Sequence, residues 1–101
     1  MEKFIVSSDG DVINEGLGKK LHETCLEFAR TSTNPISLAT RMHARLVDLN
    51  IIDDSVDIVY DFDARYRIRF QHDEQPYYFE TWCTWQGALN WKISFDKEAV
   101  A

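Results

Sequence analysis

The chain of 101 residues lacks most of the sequence features that identify a functional class. It has two cysteines, Cys25 and Cys83, which lie far apart and form no Cys-x-x-Cys pair, so neither a disulfide framework nor a zinc site is expected. No stretch approaches the about 20 apolar residues of a membrane helix, and no signal-peptide pattern opens the sequence. These absences predict a soluble protein of a reducing cytoplasm that makes no contact with a membrane.

Motifs for catalysis and cofactor binding are also missing. There is no glycine-rich phosphate loop, no nucleophile elbow and no Cys-His pair. The three histidines, His22, His43 and His72, are scattered, whereas a metal site needs three or four converging ligands. We therefore expect no cofactor and no metal. An enzyme remains an alternative, with an acid and a base hidden between helix and sheet and with Tyr60 and Tyr66 beside a histidine as the first candidates.

The chain has fewer basic than acidic residues, so its net charge is −6 and its isoelectric point is about 4.9. An acidic chain is repelled by the phosphates of nucleic acids and by anionic membranes, so a nucleic-acid partner is not expected. The same charge permits a basic protein partner without requiring one.

The chain does contain a long alternation of apolar and polar residues between Val56 and Phe95. A period of two places successive side chains on opposite faces of a strand, and one apolar face is typical of an antiparallel sheet that is packed on one side. The inward-facing residues predicted in this way are Val56, Ile58, Tyr60, Phe62, Tyr66, Ile68, Phe70, Leu89, Trp91, Ile93 and Phe95. The segment Tyr77 to Trp85 carries aromatic residues on both faces.

The period changes to that of a helix in two earlier segments. From Leu17 to Arg30 the stripe comprises Leu17, Leu21, Cys25 and Phe28. Asn34-Pro35 predicts a helix start, because asparagine caps the first turn and proline at the first helical position loses no hydrogen bond. The second helix is expected to end near Leu49, with Asn50 as its stop and with Leu38, Met42, Leu46 and Leu49 as its stripe.

The fold class predicted from this order is α+β, as a single two-layer domain over residues 1–101. An N-terminal β-hairpin turning at Asp9-Gly10, with Val12 and Ile13 in its return strand, precedes two α-helices and a four-stranded antiparallel meander. The helices are expected to cover the apolar face of the meander. The predicted hairpin loops are residues 63–65, 73–76 and 86–88, which pair Tyr60 with Ile68, Phe70 with Phe79 and Cys83 with Trp91.

These registers predict which side chains meet on the opposite, outer face. Asp61 falls opposite Arg67, and Arg69 falls opposite Glu80. Trp82 falls between Arg67 and Lys92. A tryptophan between two cations is a favourable cation–π arrangement, and aromatic residues with arginine are enriched in binding hot spots. The candidate partner-binding residues are Trp82, Tyr78, Arg67, Arg69, Lys92 and Glu80. Simple support of the sheet and burial against a second copy of the chain are the alternatives for this face.

The function expected from these features is that of a non-enzymatic protein-binding module of an inhibitor, immunity or adaptor type. If the partner is basic, the binding residues would instead form an acidic patch of Asp53, Asp54, Asp57 and Asp61. A homodimer through the outer face is a further alternative. So is a small-ligand or enzymatic pocket between helices and sheet, lined by Tyr60, Tyr66, Trp91 and Phe28.

Overall fold

A computed structural model describes residues 6–7, 16–61 and 64–96 of the chain. The elements are, in order, β1 (Val6–Ser7), α1 (Leu17–Thr31), α2 (Pro35–Asp48), β2 (Val59–Tyr60), β3 (Tyr66–His72), β4 (Gln75–Cys83) and β5 (Leu89–Phe95). The protein is α+β, with two helices followed by an antiparallel meander of β2 to β5, as predicted. Within the described ranges, neither helix has the length and apolar character needed to span a bilayer.

Both helices form where the apolar stripes predict them, and both stripes face the core. On α1 the buried stripe is Leu21, Cys25 and Phe28, and on α2 it includes Leu38, Met42 and Leu46. The two stripes meet at the thiol of Cys25, which lies 3.7 Å from the sulfur of Met42. Burial raises the pKa of the Cys25 thiol, so this cysteine stays protonated and behaves as a small apolar residue.

Local sequence determines both ends of α2. At its start the Asn34 side chain accepts a 2.8 Å hydrogen bond from the Ser37 backbone N–H, and Pro35 occupies the first helical position. At its end Asn50 adopts a φ of 58°, and the N–H groups of Asn50 and Ile51 donate to the carbonyls of Val47 and Leu46. This pair of bonds is a Schellman motif, in which a left-handed residue closes the helix.

Asn34→Ala is expected to lower the free energy of unfolding by about 1 kcal/mol, because the Ser37 N–H loses its acceptor. Urea denaturation followed by circular dichroism would measure the change. Thr40→Ala on the exposed side of the same helix is the control. It should be neutral or slightly stabilising, since alanine is the better helix former. An equal loss in both variants would contradict a capping role for Asn34.

The described strands form one antiparallel sheet in the order β1-β5-β4-β3-β2. Its inner face packs on the helices, since Ile68, Phe79, Trp91 and Ile93 are buried in one cluster with the stripes of α1 and α2. The predicted direction of the apolar face is therefore confirmed. Tyr60 is an exception: β2 is only two residues long, and Tyr60 is 59% exposed at the edge of the sheet.

The predicted N-terminal hairpin is not supported. Its turn at Asp9-Gly10 and its return strand at Val12 and Ile13 lie outside the described residues. The described strand β1 pairs instead with β5, with Val6 opposite Ile93.

The register of every predicted hairpin in the meander is wrong by two residues. Tyr60 pairs with Tyr66 rather than Ile68, Phe70 with Tyr77 rather than Phe79, and Cys83 with Leu89 rather than Trp91. A slip of two keeps every side chain on its predicted face but changes each cross-strand neighbour. The residues predicted on the outer face therefore lie there, but their cross-strand neighbours differ from those predicted.

Candidate functional site

The outer face of the sheet has a row of three charged residues across its three long strands. Arg67 on β3 lies opposite Glu80 on β4, and Glu80 lies opposite Lys92 on β5. The alternation of the strands places Tyr78 and Trp82 on the same face, two residues to either side of Glu80. We refer to Arg65, Arg67, Arg69, Tyr78, Glu80, Trp82 and Lys92 as the outer face.

Glu80 is the centre of this face and is only 1% exposed. Arg65 donates to its Oε1 through Nη1 at 2.7 Å, and the Nζ of Lys92 lies 3.9 Å from the same oxygen. Arg67 donates to Oε2 through both Nε at 3.1 Å and Nη2 at 2.5 Å. Three cations therefore surround one carboxylate, and both of its oxygens accept charge-assisted hydrogen bonds.

These contacts control the ionisation of Glu80. Burial alone raises the pKa of a carboxyl group, but the hydrogen bonds and positive charges of Arg67 and Arg65 outweigh it and hold the pKa of Glu80 below its usual value of 4.5. Burial lowers the pKa of Arg67, and Glu80 more than offsets that effect, so the pKa of Arg67 is raised. At neutral pH the ion pair of Glu80 and Arg67 is therefore ionised on both sides.

Each cation of the cluster also lies over an aromatic ring. The Arg65 guanidinium is 4.2 Å from the ring centre of Trp82, and that of Arg67 is 4.6 Å from the ring centre of Tyr78. The Nζ of Lys92 is 5.6 Å from the ring centre of Tyr78. Cation–π contacts of this kind stabilise by about 0.5–1 kcal/mol at exposed sites, and they hold the cations in fixed positions.

A second ion pair lies beyond Tyr78 at the end of the sheet. The Nε of Arg69 is 3.4 Å from the Oδ2 of Asp96, whose side chain is buried. Four cations on this face, namely Arg65, Arg67, Arg69 and Lys92, thus meet two carboxylates, Glu80 and Asp96. Asp61 adds a third carboxylate, which acts electrostatically on Arg67, so four cations stand against three carboxylates and the face keeps an excess of one positive charge although the chain as a whole is acidic.

The structure brings the six predicted partner-binding residues onto one face but with different neighbours. Arg67, not Arg69, lies opposite Glu80, and Arg69 lies opposite Tyr78. Trp82 lies opposite Asn90 and is covered by Arg65 rather than placed between Arg67 and Lys92. Arg67 pairs with Val59 on β2 and not with Asp61, although the Asp61 carboxylate still interacts electrostatically with Arg67.

Two residues of this region are not among the predicted binding residues. The alternation predicts Arg65 in a hairpin loop, yet Arg65 contacts both Glu80 and Trp82. The correct register would have found it, because continuing the β3–β4 ladder by one residue places Arg65 opposite Trp82. Trp85, in the turn between β4 and β5, is 92% exposed, which is unusual for so large an apolar side chain.

The predicted acidic patch is spread along a connection. Asp53, Asp54 and Asp57 are exposed between α2 and β2. The Asp53 carboxylate accepts a 2.9 Å hydrogen bond from the Ser55 N–H, which lowers its pKa. Asp61 is half-buried, and its Oδ1 accepts a hydrogen bond from the Arg65 N–H.

The four residues predicted to line an inner pocket do not enclose one together. Phe28 and Trp91 are buried in the core, whereas Tyr60 is exposed and packs against Tyr66 with ring centres 4.8 Å apart. His22 is the histidine near this group, with its ring 5.3 Å from that of Trp91.

The family whose profile matches residues 7–97 is described as a domain of unknown function, DUF7254. The chain belongs to this family. No curated protein and no solved structure matched it. Since the description of DUF7254 assigns no activity, the chemistry of the outer face has to indicate the function.

Proposed function

We propose that this DUF7254 domain is a cytoplasmic, non-enzymatic protein-binding module of an inhibitor, immunity or adaptor type that binds its partner through the outer face. The observation that supports this most is the cluster around buried Glu80, in which three cations are each fixed against an aromatic ring. Tryptophan, tyrosine and arginine are the residue types that contribute most of the energy at protein interfaces.

Pre-organisation is the physical advantage of this arrangement. A free arginine or lysine side chain loses rotamer entropy when a partner immobilises it, at a cost of about 0.5–1.5 kcal/mol per side chain. On the outer face Glu80 and the aromatic rings already hold Arg65, Arg67 and Lys92. Most of that cost is therefore met on folding rather than on binding.

The charge of the outer face favours an acidic partner. The guanidinium groups of Arg65 and Arg67 carry five N–H donors each, and Glu80 accepts only some of them. Their side chains are 35% and 27% exposed, so the remaining donors can meet carboxylates of a partner. An acidic protein segment would therefore be complementary to this face, in contrast to the basic partner that the acidic residues between α2 and β2 would select.

Trp82→Ala is expected to weaken partner binding by about 2 kcal/mol, roughly thirtyfold, because Trp82 supplies the platform under Arg65. The partner would first be trapped in native host extract with a photo-crosslinking residue at exposed Trp85, and the same residue at exposed Ile36 on α2 serves as the control position. Calorimetry with the purified partner then compares Trp82→Ala with Ile36→Ala, which should bind normally.

Three results would contradict this proposal. One is normal binding of Trp82→Ala, and another is crosslinking at Ile36 but not at Trp85. The third is a loss of binding confined to variants of Asp53, Asp54 and Asp57, which would indicate a basic partner. Sedimentation of the purified protein tests the homodimer, which two faces of equal positive charge would disfavour.

A further inference from the structure

Strand β3 has an edge that the described residues leave largely unpaired. β2 pairs only with Tyr66 and Arg67, the first two residues of the seven in β3. The Asp61 N–H donates to the Arg65 carbonyl, so the odd-numbered residues of β3 direct their backbone groups toward this edge. The N–H and C=O groups of Arg69 and Gln71 therefore point outward beyond the end of β2, and no backbone group of the described residues bonds to them.

A cleft lies beside this open edge. The segment that leads from α2 to β2 diverges from β3, and the space between them has a volume of about 480 Å³. Ile51, Ile52 and Val56 line it together with Asp53, and Phe70 and Tyr77 line it together with Arg69, Gln71, Pro76 and Asp96. Its volume falls in the range of ligand sites, and its walls are mainly apolar.

We propose that this edge accepts an extended peptide segment of a partner as an additional antiparallel strand. Strand addition uses two features, namely unpaired backbone N–H and C=O groups and a neighbouring apolar pocket. The main-chain hydrogen bonds give affinity, and pockets for alternate side chains give specificity. Arg69 and Gln71 supply the hydrogen-bonding rungs, and the cleft takes one apolar side chain of the segment.

The alternation of β3 determines the side chains that such a segment needs. A residue that pairs with Arg69 has its side chain on the outer face, next to the Arg69 side chain, which is 60% exposed. In an antiparallel segment the preceding residue lies opposite Phe70 and points into the cleft, and the one before that lies opposite Gln71 on the outer face again. From its N- to its C-terminus, the fitting segment therefore has a polar, an apolar and an acidic residue in succession.

This proposal does not depend on the function proposed for the outer face, although a strand added here would extend the same sheet. The two can be separated because Gln71 is exposed and pairs with Pro76, six residues along β4 from Trp82. Variants at Gln71 test the edge, and Trp82→Ala tests the outer face.

The experiment adds the blocked peptide Ac-Ser-Glu-Leu-Glu-Leu-Glu-Ser-NH₂ to the 101-residue protein and measures binding by amide hydrogen exchange and NMR shifts. Binding at about 1 mM peptide or below should slow exchange of the Arg69 and Gln71 amides. Gln71→Lys should tighten binding about threefold and Gln71→Glu should weaken it about threefold, because the outward glutamates pair with this position. Trp82→Ala should leave peptide binding unchanged.

The matched control is the same peptide with N-methyl groups on its three glutamates, which removes the N–H donors that would face β3. It should fail to bind. Equal binding of the methylated peptide would overturn the proposal, as would unchanged exchange of the two amides at about 1 mM of the unmethylated peptide. Equal affinity of the Gln71→Lys and Gln71→Glu variants for the unmethylated peptide would also overturn the proposal.

Discussion

Phe79→Ala is expected to lower the free energy of unfolding by about 4 kcal/mol. The Phe79 side chain is 0% exposed at the centre of β4, between Ile68 on β3 and Ile93 on β5. It packs in the cluster that joins the sheet to both helices, so alanine would leave a cavity that the surrounding strands cannot fill by small movements. Urea denaturation of the variant and of the parent chain measures the difference.

The preceding residue provides the matched control. Tyr78 is a similar aromatic residue in the same strand, but it faces outward and is half-buried beneath Arg67 and Lys92. Tyr78→Ala removes cation–π contacts rather than core packing, so a loss of about 1 kcal/mol is expected. A larger loss for Tyr78→Ala than for Phe79→Ala would mean that the helices cover the opposite face of the sheet.

The helices were predictable from sequence because their signals are local. The Asn34-Pro35 start and the stop at Asn50 each depend on residues within one turn, and the structure contains both as predicted. The faces of the strands were predictable for a related reason, since alternation depends only on neighbouring residues. Fold class and sidedness, at the level of two helices and an antiparallel sheet, follow from these signals.

Strand register was not predictable from alternation, because a slip of two residues preserves both faces. The β3–β4 hairpin shows the physical cause. Its loop is only Asp73-Glu74, both with positive φ, a conformation for which glycine or asparagine is usual, so the sequence predicts a longer loop. Pro76 was also placed in that loop, but it fits at the start of β4, where its carbonyl accepts the Asp96 N–H.

The wrong register also affects the candidate site. Which residues belong to the outer face depends only on the direction of each side chain, and that prediction is largely correct. Which of these residues contact one another depends on the register, and those predicted contacts are wrong. The predicted register places Trp82 between two cations. In the structure, with each hairpin shifted by two residues, the central group is instead the buried carboxylate of Glu80, which is surrounded by three cations including Arg65. No single-residue pattern marks Glu80 as buried, because its burial results from side chains on two neighbouring strands.

Glu80→Gln is expected to lower the free energy of unfolding by about 3 kcal/mol at neutral pH. The amide keeps the size of the side chain but loses the charge, and its NH₂ group cannot accept the hydrogen bonds of Arg65 or Arg67. Three cations would then lie together without their shared carboxylate. Their partial exposure allows water to solvate them, which keeps the expected loss at the lower end of the range for buried ion pairs.

The dependence on pH separates this electrostatic role from simple packing. The pKa of Glu80 is held below its usual value of 4.5 in the folded chain, so its contribution to stability is fully present above that value and is lost as the pH falls through the folded pKa. Parent and Glu80→Gln stabilities should therefore differ most near pH 7 and converge in acid, where protonated Glu80 resembles glutamine. Glu74→Gln, in the exposed β3–β4 turn, should change stability by less than about 0.5 kcal/mol at any of these pH values. A difference between parent and Glu80→Gln that stays constant from neutral pH into acid would show that the carboxylate acts through its shape and not through its charge.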